Sequence, residues 1–426
     1  MKKIGVAILG LGVVGGGVYK ILTEKKEFFK KTQKLDITVE AVMEKNIERA
    51  ISLGIKKENI TTKIEEICCN PNVDIVVEVI GGIGVAKTFV LSCLKSGKTV
   101  VTSNKELFAK FWPELETEAK KTHAGLFFEA SCVGGVPIIR VLQEGMQANE
   151  IREIKGIING TTNYILTKMS SEGWSYQDAL REAQKLGYAE FNPTADVEGF
   201  DATYKLSILS SLAFNTKIVI DDVYREGITE LTKEDISYGK EMGYVLKLLG
   251  IGKNINGEID VRVHPTFIKK DNPLASVNDS FNAVHILGDS VGDIMLYGRG
   301  AGDLPTGSAI VSDVIFAARH QDYYYANFRN DEKGNKATKF VSDYDIKYYV
   351  RISVKDCAGV MSNVTGVFAK FGISLKEIKQ VTTANDCADI IVITHKCKES
   401  AMQKALSKIS KTDGVIKVNG SIRIEE

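Results

Sequence analysis

The stretch from Lys3 to Gly17 constrains this chain more than any other. Residues 3–9 read as a short apolar strand, followed at once by Gly10-Leu11-Gly12-Val13-Val14-Gly15 and a helical stretch through Val18, Ile21 and Leu22. A strand without polar alternation fits one buried on both faces of a parallel sheet. G-x-G-x-x-G between a strand and a helix gives each glycine a task. The first permits the tight turn, the second lets backbone approach a pyrophosphate, and the third allows close helix–strand packing. The phosphate itself sits on free N–H groups at the helix start. A glycine-rich turn that serves packing alone is the bland alternative, and the strand–turn–helix context favours dinucleotide binding.

The next 120 residues repeat the theme. Apolar strands are expected at 37–43, 73–79, 98–102 and 126–129, separated by helical patterns, which is the βαβ alternation of a parallel sheet. Glu44 follows the second strand, 29 positions after Gly15 where about 20 is usual for the acidic residue that binds a ribose. It is either that residue or a solvated strand-end charge. Thr102-Ser103-Asn104-Lys105 follows the fourth strand at the carboxyl edge, where such sheets bind ligands. Lys105 is thus a candidate for cofactor or substrate contact, against the plainer reading of a surface lysine.

The pattern then changes. Strands are expected at 150–158, 258–265 and 283–287, with 294–298 as a further one, and helices at 164–171, 176–186 and 201–214. A glycine-rich turn at 298–307 leads into an apolar helix at 309–318, and the polar stretch 321–345 reads as a linker. Beyond it come strand 347–354, helix 361–371, strands 374–381 and 389–394, helix 399–410 and strand 415–425, the β-α-β-β-α-β order of a ferredoxin-like fold. At 426 residues and roughly 150 per domain, two to four domains are expected.

Charge excludes several function classes. Lys+Arg 55 against Asp+Glu 54 leaves +1, so neither a basic nucleic-acid binder nor an acidic tail is the theme. The seven cysteines are scattered without a C-x-x-C pair, and the five histidines are isolated, which argues for reduced thiols and against a zinc cluster. No apolar run reaches the ~18 residues of a membrane span. Lys2 and Lys3 before an apolar stretch imitate a signal peptide, but six glycines from Gly5 to Gly17 and no small-residue cleavage site argue against one. A cytoplasmic location is expected.

The densest chemistry lies between Leu186 and Lys205. Glu190, Asp196, Glu198 and Asp201 crowd a Gly- and Pro-containing loop that runs into a helix bearing Asp201 and Lys205 at i and i+4. An isolated pair at that spacing is a helix salt bridge of a few tenths of a kcal/mol. Five converging ionisable groups instead suggest a polar site for an amino acid, with carboxylates for its ammonium and the lysine as proton donor.

The run Ala183, Gly187-Tyr188, Asn192-Pro193, Asp196-Val197, Gly199, Asp201 and Lys205 resembles the signature of homoserine dehydrogenases. Supporting segments are Gly10 to Gly15, Val101 to Lys105, Gly134-Gly135-Val136-Pro137, Asn159-Gly160-Thr161-Thr162-Asn163 and Gly300-Ala301-Gly302-Asp303-Leu304-Pro305, covering residues 1 to about 320. The segment with Asp356-Cys357-Ala358-Gly359-Val360 is similar to an ACT domain, an amino-acid-sensing module. Nothing in the chain resembles the aspartate kinase fused to some relatives.

The resemblance implies an α/β chain with four parts. A Rossmann-type domain spans 1–133, with a returning helix at about 302–320, and a substrate-binding, catalytic and dimerisation α+β domain spans 134–301. A linker at 321–346 then leads to a ferredoxin-like ACT domain at 347–426. It implies interconversion of L-aspartate 4-semialdehyde and L-homoserine, in threonine, methionine and isoleucine biosynthesis, with Lys205 as the acid–base residue and Glu190 and Asp201 binding the amino-acid end. Gly10, Leu11, Gly12, Val13, Val14 and Gly15, with Ser103, Lys105, Gly187 and Gly302, line NAD or NADP. Oxygens of Glu129, Cys132, Gly134 and Val136 match the family's monovalent cation (Na+) site. A homodimer or homotetramer is implied.

The chain departs from the family at two points. Many NADP-preferring members carry Arg after the second strand, whereas this chain has Met43-Glu44, which points to NAD or dual use. Asp303 stands where many relatives have Gly. In the C-terminal module, Asp356 and Gly359 at a strand-to-helix turn are the expected site for a small amino acid, threonine first, the alternative being a dimerisation module. Two other functions compete: a Rossmann dehydrogenase for a different amino or oxo acid, and a non-catalytic nucleotide and amino-acid sensor. Lys205 beside Asp201 and Glu190 favours chemistry over sensing.

Overall fold

In the computed structural model, which describes residues 1–320, 338–383 and 386–425, the apolar strand β1 (Lys2–Leu9) occupies the middle of a six-stranded sheet. Its partners are β2 (Leu35–Met43), β3 (Ile60–Thr61), β4 (Ile75–Glu78), β5 (Thr99–Thr102) and β6 (Leu126–Phe127), ordered β3-β2-β1-β4-β5-β6 with every pair parallel. The strand order reverses between β1 and β4, which opens a crevice at the carboxyl edge of the sheet. The two-residue β3 is too short to leave a pattern in the sequence.

Helices α1 (Val13–Glu24), α2 (Lys26–Gln33), α3 (Ile47–Ser52), α4 (Ile64–Cys68), α5 (Gly84–Lys95) and α6 (Lys105–Thr122) fill the connections. Against the second sheet pack α8 (Gly160–Glu172), after the single turn α7 (Ile138–Arg140), and α11 (Phe200–Ala213), after the short α10 (Thr194–Val197), while α9 (Tyr176–Lys185) packs on α8. The sheet itself comprises β7 (Ile151–Ile157), β8 (Tyr224–Arg225), β9 (Tyr244–Ile255), β10 (Glu258–Lys269), β11 (Phe281–Gly288) and β12 (Gly292–Arg299), with α12 (Lys233–Glu241) before β9. Helix α13 (Asp303–Arg319) returns to the first sheet and packs on α1. A Cβ at Gly17 would lie 2.3 Å from the Asp303 carbonyl oxygen, so only glycine admits that approach.

Strand β9 is the main element that sequence periodicity does not show. Lys247, Gly250 and Gly252 break its apolar pattern. The glycines have a packing cause: a Cβ at Gly250 would sit 2.8 Å from Ile158 Cδ1, and one at Gly252 2.6 Å from Ser210 Oγ of α11. Gly156 of β7 pairs with Gly250, so a bare patch of sheet lies under α11. β10 also runs past Pro265, where the sequence reading ended it. Pro265 falls between Val263, the last residue of β10 that pairs with β8, and Thr266, the first that pairs with a further strand on that same flank, opposite β9.

That flanking strand comes from the C-terminal module. The module comprises β13 (Lys339–Phe340), β14 (Asp345–Lys355), α14 (Val360–Lys370), β15 (Leu375–Thr382), β16 (Cys387–Thr394), β17 (Cys397–Lys398), α15 (Glu399–Ile409) and β18 (Val415–Glu425). Its sheet is ordered β18-β14-β16-β15, and β18 pairs in parallel with β10, so one continuous sheet runs through both units in the order β12-β11-β7-β9-β10-β18-β14-β16-β15. Of the expected linker, residues 321–337 lie outside the described residues. Lys339 and Phe340 pair with Glu258 and Ile259 of β10, and Asp345 already belongs to β14. Among the described residues no helix is long and apolar enough to cross a membrane.

Candidate active site

The glycine turn ends β1 and caps α1. Gly10 has φ +95°, and its N–H donates to the Met43 carbonyl at 2.8 Å. A Cβ at Gly15 would lie 2.0 Å from the Gly10 carbonyl oxygen, so Gly15 serves packing. Around Gly12, the N-cap of α1, a Cβ would meet nothing within 4 Å, so that side of the turn is open. The first turn of α1 holds no acidic residue, and Val13 is exposed. An unblocked helix start with open backbone fits a pyrophosphate.

Glu44 takes a role that the sequence does not disclose. Its carboxylate accepts from Leu11 N–H at 2.7 Å and from Asn46 N–H at 2.9 Å, which ties the end of β2 to the glycine turn. Burial pushes this carboxyl up, but N–H donation from Asn46, Leu11 and Lys45 outweighs it and holds the group below its ordinary value. Glu44 therefore remains a negative charge against the turn.

Across the crevice, buried Glu78 at the end of β4 accepts from Thr102 Oγ1 at 2.6 Å and from the N–H groups of Ile80 and Gly81 at 2.8 and 3.2 Å. The Asn104 side chain accepts from Leu107 N–H at 3.1 Å and so caps α6. These bonds fix the loop of half-buried Ser103 and place Lys105 as the first residue of α6. Gly302 (φ +122°) caps α13 next to α1.

The second layer brings the reactive groups to that edge. Helix α11 starts at Gly199, whose φ of +80° turns the chain into the helix, and lies on the glycine patch of β7 and β9. Lys205 Nζ is buried, donating to Asp201 Oδ2 at 2.7 Å and to the Ile158 carbonyl at 2.9 Å. The other Asp201 oxygen lies 3.1 Å from Lys105 Nζ. Burial pushes the Asp201 carboxyl up, but the two lysines overcome this and hold it far below the usual carboxylate range. Asp201 in turn raises the pKa of Lys105.

Two residues without an assigned role complete the cluster. Asn159, two residues beyond the end of β7, caps α8 through Thr162 N–H at 2.8 Å, and its amide donates to Asp201 Oδ2 at 2.8 Å and Asp196 Oδ1 at 2.6 Å. Burial and the neighbouring Asp201 raise the Asp196 carboxyl. The available signal was an Asn-Gly-Thr-Thr cap at a strand end, which by itself reads as helix capping. Gly187 and Glu190 lie in an exposed loop after α9, anchored by Thr161 Oγ1 donating to the Tyr188 carbonyl at 2.6 Å. Among the described residues the Glu190 side chain has no hydrogen-bond partner, so Lys105, Asp201 and Lys205 are brought together and Glu190 is not joined to them.

The loop expected to hold a cation runs beneath this cluster. The Glu129 carboxylate is committed to the N–H groups of Ile139 and Arg140, both at 2.8 Å. Burial pushes the Cys132 thiol up to about 12, and sulfur is in any case too soft a donor for an alkali ion. Main-chain oxygens remain as donors, around successive left-handed residues Val133 (φ +55°) and Gly134 (φ +52°). They are the hard neutral type that suits an alkali ion. Gly134 packs so closely that a Cβ would lie 2.2 Å from the Gly300 carbonyl oxygen. In the C-terminal module, Gly359 (φ +92°) caps α14 with open space around it, and Asp356 accepts from Gln380 at 3.1 Å and Thr382 at 3.3 Å on β15.

A Rossmann-type crevice facing a buried lysine–carboxylate pair defines an NAD(P)-dependent oxidoreductase. The chain matches the family profile described as homoserine dehydrogenase over residues 137–315, and that of its NAD-binding domain over 10–129. A profile described as an AHAS small subunit-like ACT domain matches 350–417.

Similarity extends over whole chains. The homoserine dehydrogenase of Bacillus subtilis is 39% identical over 435 residues, covering 100% of this chain and 99% of that one. That of Neisseria gonorrhoeae is 37% identical over 433 residues, covering 100% and 99%. The crystal structure of a homoserine dehydrogenase from Thiobacillus denitrificans superposes with a TM-score of 0.93 at 38% identity, covering 100% and 99%. A hyperthermophilic archaeal homoserine dehydrogenase in complex with NADPH superposes with a TM-score of 0.63 at 30% identity, covering 74% and 97%. The chain belongs to the homoserine dehydrogenase family.

Proposed function

We propose that the cluster of Lys205, Asp201 and Lys105 interconverts L-aspartate 4-semialdehyde and L-homoserine, with Lys205 as the proton-transfer residue. The observation that carries this is the buried Lys205 ammonium, held at 2.7 Å by a carboxylate and 2.9 Å by a carbonyl, at the carboxyl edge of a nucleotide-binding sheet. The nicotinamide supplies or accepts the hydride when bound. Lys205 protonates the oxygen that the reduction leaves as an alkoxide and takes that proton back in the reverse direction. Asp201 fixes the ammonium and, with Glu190, receives the amino-acid end of the substrate.

Gly10 to Gly15 would hold the pyrophosphate, with Ser103, Lys105, Gly187 and Gly302 along the rest of the cofactor. The Glu44 charge supports NAD or dual use, since a carboxylate there repels a 2′-phosphate. A monovalent cation would be held by main-chain oxygens of Glu129, Cys132, Gly134 and Val136, bracing the loop beneath Lys205. The open N-terminus of α14 at Gly359, with Asp356 beside it, supports a threonine site. Exposed Met295 and Tyr297 on the edge strand β12 support a homo-oligomer.

The test is absorbance of the reduced nicotinamide with homoserine as the only added substrate, run with NAD and NADP and with threonine titrated in. Homoserine-dependent reduction, faster with NAD or equal with both and inhibited by threonine, is expected. No reduction with either cofactor rejects the substrate assignment.

A further inference from the structure

Two cysteines that stand 25 positions apart in the sequence meet in the nucleotide-binding domain, where Cys68 Sγ lies 4.0 Å from Cys93 Sγ. Cys68 ends the five-residue helix α4, and Cys93 sits in the last turn of α5. Their surroundings differ. Cys93 is buried in the apolar core with Ile67, Val90 and Leu94, whereas Cys68 is half-buried at the edge of that core. Solvent therefore reaches one sulfur of the pair and not the other.

The electrostatics divide the two in the same sense. Lys98 Nζ is pinned by the carbonyls of Asn70 at 2.8 Å and Val73 at 2.7 Å, just beyond α4, and its charge favours a thiolate at Cys68. Hydrogen bonding to Cys93, helped by Ser96, outweighs burial and holds the Cys68 thiol below its ordinary value. The same bond, together with burial, pushes the Cys93 thiol up. A disulfide needs its sulfurs at about 2 Å, so the pair must close by about 2 Å. That movement falls to Cys68, because α4 is short and runs into exposed Cys69, Pro71 and Asn72, while Cys93 is held in a 12-residue helix.

We propose that Cys68 and Cys93 form a peroxide-responsive thiol pair, with Cys68 as the reacting sulfur and Cys93 as the resolving one. The Cys68 thiolate attacks one oxygen of hydrogen peroxide. An S–O bond forms, the O–O bond breaks, and the second oxygen leaves as hydroxide, which takes up the proton that the thiol released and becomes water. Cys93 Sγ then attacks the Cys68 sulfur. The S–S bond forms, the S–O bond breaks, and the hydroxyl departs with the Cys93 proton as a second water. Two electrons have passed from the sulfurs to the peroxide, and a dithiol reductant restores them. Resolution by Cys93 intercepts the sulfenic acid before more peroxide carries it to sulfinic acid, which thiols do not reduce. The site is separate from the catalytic one: α5 starts at the crevice loop, and Cys93 lies about 13 Å along the helix from that end.

The test treats the folded full-length protein with a small excess of hydrogen peroxide, blocks the remaining thiols and maps tryptic peptides without reduction. A linked species joining residues 64–87 to 88–95 is expected, with fragmentation placing the bond between Cys68 and Cys93. Dithiothreitol should abolish it. Cys68 should be consumed roughly tenfold faster than exposed Cys357, as its greater thiolate character requires.

Cys69→Ser should form the same link, and Cys68→Ala should form none. In Cys93→Ala the link should be replaced by oxygen added irreversibly at Cys68. A bond between Cys68 and Cys69, or between Cys69 and Cys93, overturns the proposal. So does oxygen added at Cys68 of the parent with no linked peptide, or loss of Cys357 as fast as Cys68. Should Cys93→Ala fail to fold, the maps of the parent and of Cys69→Ser decide by the same criteria.

Discussion

The ammonium of Lys105, at the head of a helix on the nucleotide-binding sheet, lies 3.1 Å from the Asp201 carboxylate on a helix of the second sheet. That contact joins the two layers at the carboxyl edge of the nucleotide-binding sheet. Asp201 is thereby shared between Lys105 and Lys205, the lysine proposed to move the proton.

Lys205→Ala should fold and bind cofactor with near-parental affinity while losing most turnover. General acid–base groups contribute ~10²–10⁴-fold, so a kcat decrease in that range is expected. Steady-state rates with homoserine, paired with cofactor titration, check it. A kcat within a few-fold of the parent excludes Lys205 from proton transfer.

The two glycines of the turn should fail differently. In Gly15→Ala the new methyl meets the Gly10 carbonyl oxygen at 2.0 Å, so the turn must distort and Tm falls. In Gly12→Ala the methyl meets no protein atom within 4 Å, so Tm should hold while cofactor affinity drops at least tenfold. Differential scanning calorimetry alongside cofactor titration separates the two. Unchanged cofactor affinity in Gly12→Ala would place the pyrophosphate elsewhere.

Asn159→Asp should keep the α8 cap, because aspartate caps helices as well as asparagine does. It cannot donate to Asp196 and Asp201, however, and it adds a negative charge beside both. Helix content by circular dichroism should be unchanged and kcat should fall by at least ~10-fold, the scale of one lost charged hydrogen bond. A rate within twofold of the parent would reduce Asn159 to a capping residue.

Glu425 should also show in acid unfolding. Burial pushes its carboxyl up, but Lys253, Lys155 and Arg262 overcome this and bring it from 4.5 to about 2. The folded-state pKa is depressed, so the stabilisation is present above about 4.5 and is lost as pH falls towards about 2. One pKa unit is about 1.4 kcal/mol, which makes this contribution ~3 kcal/mol near neutrality. Denaturant unfolding of Glu425→Gln and parent at stepped pH should show a gap that closes between about 4.5 and 2. A gap independent of pH would show that the ion cluster does not act through the Glu425 charge.

The sequence alone determined the two ends of this fold and the residue spacing that marks the site between them. Gly10, Gly12 and Gly15 announce a nucleotide-binding turn because they stand between an apolar strand and a helix, a context that the spacing alone does not supply. Asp201 and Lys205 at i and i+4 share a helix face whatever lies around them, and the six-element order after the linker region is legible from periodicity. Such features are local: backbone geometry and side-chain spacing fix them within about 20 residues.

What only tertiary structure decided involves partners far apart in the chain. Lys247, Gly250 and Gly252 hid β9, because its glycines are shaped by the helix above and not by the strand. Glu44, read from sequence as either a ribose ligand or a solvated strand-end charge, also holds Leu11. Asn159 looked like a cap and also carries two carboxylates. Glu190, prominent in its motif, stays out in an exposed loop, while Lys105 closes on Asp201. The fusion of β18 to β10, which buries Glu425 among Lys155, Lys253 and Arg262, follows from sheet register. Register between distant strands depends on how whole faces pack, and no local pattern of residues encodes it.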